Sequence, residues 1–183
     1  MKTFKPRIKA RLRKNRQVLT KNIDNFFGWI KGAKLVELQE CNTEEDPVRP
    51  ELDNKFRTGY GRKIYGVEYQ REIHAVMCFA YTNKIPKSVE ELEKLSTDAF
   101  LQTAMRDQAG GQIAIAYTVW SKKKGGGKLI VKEVFKKIKK SNHLNRLVTL
   151  SPLTEMATKF HTRNGAKLVQ INEATQNFEY KVM

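Results

Sequence analysis

The stretch "KKKGGGK", Lys122 to Lys128, sets three consecutive glycines between lysines, after an apolar run and before an amphipathic one. Glycines reach positive φ and let a phosphate approach the backbone closely. The first amides of a helix have no partners within the helix and point at whatever sits on its end. Lys122, Lys124 and Lys128 add positive charge to such a cradle. The pattern is neither G-x-x-x-x-G-K-[ST] nor G-x-G-x-x-G, so it is not a P-loop or a dinucleotide fingerprint. Three glycines on their own also suit a solvent-exposed turn. The remaining reactive side chains are His74, His143, His161, Cys41 and Cys78, none at metal-ligand spacing. Taken alone, His161 reads as a surface or capping histidine. Ser151-Pro152 reads as a helix N-cap followed by proline at the first helical position.

The elements that must position these residues alternate in type. "NIDNFFGWIKG" (Asn22–Gly32) reads as a short amphipathic helix closed by glycine, and "AKLVELQEC" (Ala33–Cys41) as a strand. "NTEEDPVRPELDN" (Asn42–Asn54) is polar, holds two prolines and reads as a loop. "RKIYGVEYQ" and "EIHAVMCFAYT" alternate and are rich in β-branched and aromatic residues, which predicts a hairpin turning at Tyr69–Arg71. Ser88 followed by Glu91 is a capping box that starts a helix at "SVEELEKL". "QAGGQ" breaks the chain, and "IAIAYTVWS" (Ile113–Ser121) is nearly continuous apolar sequence, as in a strand buried on both faces. From Lys128, Ile130, Val134 and Ile138 with Val131 and Phe135 repeat at helical period, with lysines crowding the last turn. "RLVTLS" (Arg146–Ser151) predicts a strand, Pro152 and Thr154 open a helix ending near Gly165, and "AKLVQI" and "FEYKV" predict two closing strands.

The chain has 183 residues, enough for one domain with a proper core. It has no apolar run long enough to span a bilayer, "AVMCFAY" being among the longest, and no apolar segment behind its basic start that would make a secretory signal. The two cysteines suggest no disulfide framework, so a reducing cytosol is the expected setting. The formal net charge is +16, and residues 1–21 hold nine Lys/Arg and no acid. That segment reads either as a solvated tail or as an arm for nucleic acid or an acidic protein. Phe4, Ile8 and Leu12 are spaced so that a helix could form there. The expected organisation is a basic tail over 1–21 and one α/β domain over 22–183.

Lys122-x-x-Gly125-x-Gly127, placed after a strand and opening a helix, resembles the R/Q-x-x-G-x-G/A signature of the GNAT acyltransferase superfamily, with Lys in place of Arg or Gln. The element order from about residue 62 to 183 is similar to that family's. The resemblance implies a GNAT-like mixed, mostly antiparallel twisted sheet flanked by helices, with the basic N-terminal extension outside it. It also implies acetyl-CoA or another acyl-CoA as cofactor and no metal. The coenzyme A site would be Val119 and Trp120 on the strand with Lys122, Lys124, Gly125, Gly126, Gly127 and Lys128 on the loop. "TLSP", "FHTRNGA", "QIN" and "NFEYKV" resemble, in the same order, the C-terminal catalytic domain of malonyl-CoA decarboxylase, itself a GNAT fold. That family's reactive serine and histidine map onto Ser151 and His161. The "SPLTEM" segment departs from the family's "SPIPGF" at the acyl pocket. Small GNAT-like proteins of bacterial viruses are also similar, which would make the setting a host cytoplasm. The leading expectation is an acyl-CoA-dependent acyltransferase, an N-acetyltransferase with His161 handling the proton. The alternatives are a malonyl-CoA decarboxylase-like enzyme using Ser151 and His161, and a non-enzymatic nucleic-acid binder on the same scaffold.

Overall fold

A computed structural model describes residues 28–106 and 111–180. The basic segment 1–21, and most of the helix expected over Asn22–Gly32, lie outside the described residues. The chain divides into two units, Met1–Lys34 and Leu35–Met183. Of the first, residues 28–32 are helical. Among the described residues, no helix is long and apolar enough to cross a membrane.

The second unit is built on one sheet. Its strands are β1 (Lys34–Leu38), β2 (Lys63–Tyr69), β3 (Glu72–Thr82), β4 (Ile113–Ser121), β5 (Arg146–Thr149), β6 (Ser151–Pro152), β7 (Lys167–Ile171) and β8 (Thr175–Tyr180). The order is β1-β2-β3-β4-β5-β8-β6, with β7 on the other side of β8. The β2–β3, β3–β4, β5–β8, β6–β8 and β7–β8 pairs are antiparallel, and β4–β5 is parallel. The β2–β3 hairpin turns where expected, with Gln70 and Arg71 at positive φ, as a tight two-residue hairpin requires.

Among the described residues, four α-helices pack on this sheet: α1 (Asn54–Thr58), α2 (Val89–Arg106), α3 (Gly126–Lys139) and α4 (Glu155–Arg163). Ser88 Oγ accepts the Glu91 amide at the start of α2, while the Glu91 carboxylate reaches back to the Lys87 amide rather than to that of Ser88. The helix runs well past "SVEELEKL". On α3, Leu129, Ile130, Val131, Val134 and Ile138 are buried, while Phe135 is only partly so. A core cluster on the sheet gathers Ile64, Val76, Cys78, Ile115, Tyr117, Trp120 and Leu150.

Two sequence expectations change near the end of the chain. "RLVTLS" is not one strand: β5 stops at Thr149 and β6 begins at Ser151. Asn177 Nδ2 donates to the Thr149 carbonyl (2.8 Å), and the Phe178 amide donates to Thr149 Oγ1 (3.1 Å). Side chains thus take over the ladder at the break, which satisfies the buried backbone while re-aiming the chain. Ser151 is also not a helix cap. Thr154 Oγ1 accepts the Ala157 amide and α4 starts at Glu155, so Ser151-Pro152 stays in the sheet.

Candidate active site

Strand β4 separates from β5 halfway along its length. The parallel pairing covers Ile113–Ala116 against Arg146–Thr149, and the Leu150 amide donates to the Ala116 carbonyl at its end. Beyond that point the register with β3 slips: Cys78 pairs Thr118 and Phe79 pairs Ala116, leaving Tyr117 as a bulge. A bulge twists its strand and breaks pairing locally. Residues Thr118–Ser121 therefore run on without a β5 partner, and a cleft of about 380 Å³ opens between the diverging strands.

Ser151, His161 and Tyr180 meet in the wall of this cleft. His161 Nε2 lies 2.9 Å from Ser151 Oγ, and its Nδ1 lies 2.9 Å from the Tyr180 hydroxyl. Ser151 donates in turn to Thr149 Oγ1 at 3.0 Å. A neutral imidazole offers one donor and one acceptor. With Ser151 donating to Thr149, the chain runs in one sense: Tyr180 O–H to Nδ1, Nε2–H to Ser151, Ser151 O–H to Thr149. The imidazole stacks on Phe178 at 5.1 Å and meets the edge of Phe160 at 5.1 Å. Ser151 is 5% exposed and His161 6%. Burial without a charged partner disfavours the imidazolium and pulls the His161 pKa down to about 4. Burial likewise pushes the Tyr180 hydroxyl well above its usual range. His161 is thus a neutral, oriented imidazole rather than a surface or capping histidine.

The cleft draws its lining from helices and from a loop. Gly127 and Val131 of α3 and Ala157 and Phe160 of α4 line it. Glu45, Pro47 and Val48 line it as well. The loop expected over Asn42–Asn54 is held down there by a buried ion pair. Asp46 Oδ2 meets Arg57 Nη2 at 2.9 Å, and both side chains are fully buried. Thr118 Oγ1 donates to the same carboxylate at 2.7 and 2.8 Å, and the Val48 and Arg49 amides cap Asp46 Oδ1. Arg57 also donates to the Leu52 and Arg49 carbonyls, each at 2.7 Å, and lies 5.5 Å over the Trp120 ring. Arg49 Nη1 donates to the Tyr117 carbonyl at the bulge.

The glycine loop closes the near end. Gly125 has φ 85° and is the N-cap of α3, without a side-chain cap. The helix begins at Gly126, two residues earlier than the stripe from Lys128 suggests. The Gly126 amide is used by the Lys123 carbonyl, which leaves Gly127 and Lys128 to supply the first-turn amides. Val119, Trp120, Lys122 and Gly127 all line the cleft. Lys122 does not stand clear of the protein: its Nζ pairs with Glu45 Oε1 at 2.7 Å, holding the Glu45 carboxyl below the usual carboxylate range. Gly125 and Lys128 instead line an adjoining cavity of about 610 Å³, with Lys123, Lys159 and Arg163 on its walls. Lys124 lines neither. Ser121, Gly127, Met156 and Phe160 border both cavities, so the cleft that holds Ser151 and His161 adjoins the one lined by Lys123, Lys128, Lys159 and Arg163. His74 and His143 stay outside the cleft, His143 hydrogen-bonding Ser141.

Tyr180, Thr149 and the Asp46–Arg57 pair were not singled out in the sequence. Tyr180 lies inside the "NFEYKV" element that carries the resemblance, so a signal existed for it. Nothing in residue spacing links Asp46 to Thr118 on a distant strand.

No protein-family model and no curated protein matches the sequence. Solved structures match the fold. GphF GNAT-like decarboxylase in complex with isobutyryl-CoA aligns over 82% of this chain and 100% of its own, with a TM-score of 0.62 and 10% identity. The loading GNATL domain of CurA from Lyngbya majuscula aligns over 81% of this chain and 97% of its own, with a TM-score of 0.59 and 10% identity. A Bacillus subtilis acetyltransferase in complex with CoA aligns over 82% and 99%, with a TM-score of 0.56 and 13% identity. The parted β4 and β5, the glycine-opened α3 and the agreement with these structures over most of their lengths lead to one conclusion: this chain has the GNAT fold.

Proposed function

We propose that this chain binds an acyl-CoA and decarboxylates a malonyl-type thioester in the cleft between β4 and β5. One observation carries the reading: a neutral, buried His161 joined to Ser151 in the wall of a largely apolar cleft. The amides of Gly127 and Lys128, with the lysines of the adjoining cavity, suit the pyrophosphate. The free edge of β4 suits the pantetheine amides. The acyl group then reaches Ser151.

Decarboxylation fits that part of the cleft. A carboxylate brought among apolar side chains loses its hydration, a cost of several kcal/mol that is relieved as the charge spreads into departing CO2 and an enolate. The Cα–carboxylate bond breaks, its electron pair enters the thioester enolate, and CO2 leaves. The Ser151 hydroxyl turns from Thr149 to the carbanion and closes the new Cα–H bond. His161 Nε2–H refills Ser151, Tyr180 refills Nδ1, water returns the proton to Tyr180, and the imidazole goes back to its Nε2–H tautomer before the next turnover. A histidine that ionises only near pH 4 is a weak base toward an ammonium acceptor but serves well as a neutral relay.

N-acetyl transfer is a second reading, favoured by the cleft's walls. They come from α3 and α4 and also from the separate loop that holds Glu45, Pro47 and Val48, which suits a second substrate beside the cofactor. Incubation with malonyl-CoA separates the two. The expected result is acetyl-CoA and CO2 in equal amounts. No CO2 from malonyl-CoA, with acetylated product from acetyl-CoA and a lysate, would establish transfer instead. The pH profile is a further mark. The active imidazole is neutral, so the rate should hold as pH falls through 6.5 and drop only near pH 4. A drop centred at pH 6.5 would show that His161 titrates as an exposed histidine does.

Cofactor binding is tested at Gly127. A Cβ there would meet Phe160 Cε2 at 3.1 Å, at the border of the two cavities. Gly126 is a poorer choice, because its Cβ would collide with Ser121 Oγ and disturb the strand–helix turn itself. Gly127→Val is expected to weaken CoA about tenfold, which lowers the ligand-induced stabilisation by about 1.4 kcal/mol at saturating CoA. An unchanged thermal shift with CoA would remove the cleft from the binding site.

A further inference from the structure

The solvent face of α3 is built of lysine. Lys128, Lys132, Lys136, Lys139 and the C-cap Lys140 are exposed, while Leu129, Ile130, Val131, Val134 and Ile138 are buried. Lys128, Lys132, Lys136 and Lys140 follow each other at intervals of four, so they stand in one ridge along the helix. Glu133 is the one acid of α3, and it pairs with Lys136 at 2.7 Å. Lys137 and Lys139 lie over aromatic rings, Tyr65 at 5.2 Å and Phe135 at 5.9 Å. Like charges four residues apart destabilise a helix. Here three such pairs come in a row: Lys128 with Lys132, Lys132 with Lys136, and Lys136 with Lys140. A solvated face relieves that repulsion by alternating acids with bases. This face keeps it, and a bound polyanion would remove it. The ridge ends at a cavity of about 700 Å³, which Lys136, Lys137, Lys140 and His143 line beside Tyr65 and Tyr81.

We propose that this lysine ridge binds the phosphate backbone of a nucleic-acid duplex. Successive lysines of the ridge rise about 6 Å along the helix axis. The phosphates of one B-form strand rise about 3.4 Å each, so each step of the ridge meets about every second phosphate. From Lys128 to Lys140 is about 18 Å, half a duplex turn. The even pitch and single sign fit a regular polyanion better than an acidic protein, whose carboxylates are unevenly placed. The one aromatic residue of α3, Phe135, is half-buried, so the ridge offers bases no platform to stack on. That favours a duplex over a single strand. Lysine acts as a point charge, so the contact reads backbone and not sequence. The net charge of +16 draws the same partner in from a distance.

The test is fluorescence anisotropy of a labelled DNA duplex of about 20 base pairs with the full chain, between about 50 and 200 mM salt. Lys132, Lys136 and Lys140 are changed together to Gln; all three lie outside the two cavities suited to CoA. Losing three phosphate contacts should make the slope of log affinity against log salt shallower by about 2.7. Over that fourfold range of salt, the native chain should therefore lose about 40-fold more affinity than the variant. Lys55, Lys84 and Lys94, exposed on other parts of the chain, are the control. Changing those three to Gln removes the same charge but should shift the slope by less than about 1. The basic segment 1–21 is present throughout, so its own contribution cancels. An unchanged slope in the ridge variant, an equal change in the control, tighter binding of a single strand of the same length, or competition by polyglutamate as effective as by unlabelled duplex would each overturn the proposal.

Discussion

Replacing His161 with alanine is expected to lower kcat for CO2 release from malonyl-CoA by roughly a hundred- to ten-thousand-fold, the range of a positioned proton donor. KM should change little, because the features suited to CoA lie along β4 and at the start of α3, away from the imidazole. The relay explains the size of the loss. Ser151 alone has a hydroxyl too weakly acidic to give up its proton unless Nε2–H replaces it, and the 2.9 Å contact is what provides that replacement. Ser151→Ala should show a similar defect, and the double variant should be no worse than the poorer single one, since groups acting as a unit are not additive. A kcat within tenfold of the native value in His161→Ala would take His161 out of the proton path. The buried imidazole also bears on stability. Its folded pKa, about 4, lies below the ordinary 6.5. Between those values the unfolded chain binds a proton that the native one does not. Stability therefore falls as pH drops from 6.5 toward 4, by roughly 3 kcal/mol at most.

Arg57→Ala should be strongly destabilising, by roughly 3–5 kcal/mol, the cost of stranding one half of a buried ion pair. For a chain of this size that corresponds to a Tm lower by about 10 °C. Asp46 would keep Thr118 and two amides but lose its ion-pair partner, and the Leu52 and Arg49 carbonyls would each lose a donor. Lys63→Ala is the internal comparison. Lys63 pairs with Glu37 at a similar distance, 2.7 Å, but with side chains 43% and 38% exposed, and its loss should cost less than about 1 kcal/mol. Urea unfolding of the two variants distinguishes the cases. A cost below about 1 kcal/mol for Arg57→Ala would mean that the 45–49 wall of the cleft is not anchored through this pair.

Much of the frame was legible because it depends on local pattern. The β2–β3 hairpin, the buried β4 and the stripe on α3 follow from alternation, turn residues and helical period, all set within a few residues. The capping at Ser88 and the αL cap at Gly125 follow equally local rules. The errors fall where the tertiary structure overrides such rules. Ser151-Pro152 has the form of a helix start, yet Ser151 pairs with Gln176, and Thr154 takes over as the cap. Lys122 has the position of a phosphate ligand, yet Glu45 from a separate loop pairs with it.

By itself the sequence determined the order of the long strands and helices, the glycine-opened helix and the presence of Ser151 and His161 on adjacent elements, but not the short helix Asn54–Thr58 or the break between β5 and β6. Only the tertiary structure decided the state of Ser151 and His161. The contact between Ser151 and His161, the Tyr180 hydroxyl on Nδ1 and the dry surroundings that keep the imidazole neutral all depend on β8 coming to lie between β5 and β7. The same holds for Asp46 with Arg57. Desolvation and charge pairing depend on neighbours brought in from distant parts of the chain, and no spacing rule along the sequence encodes those.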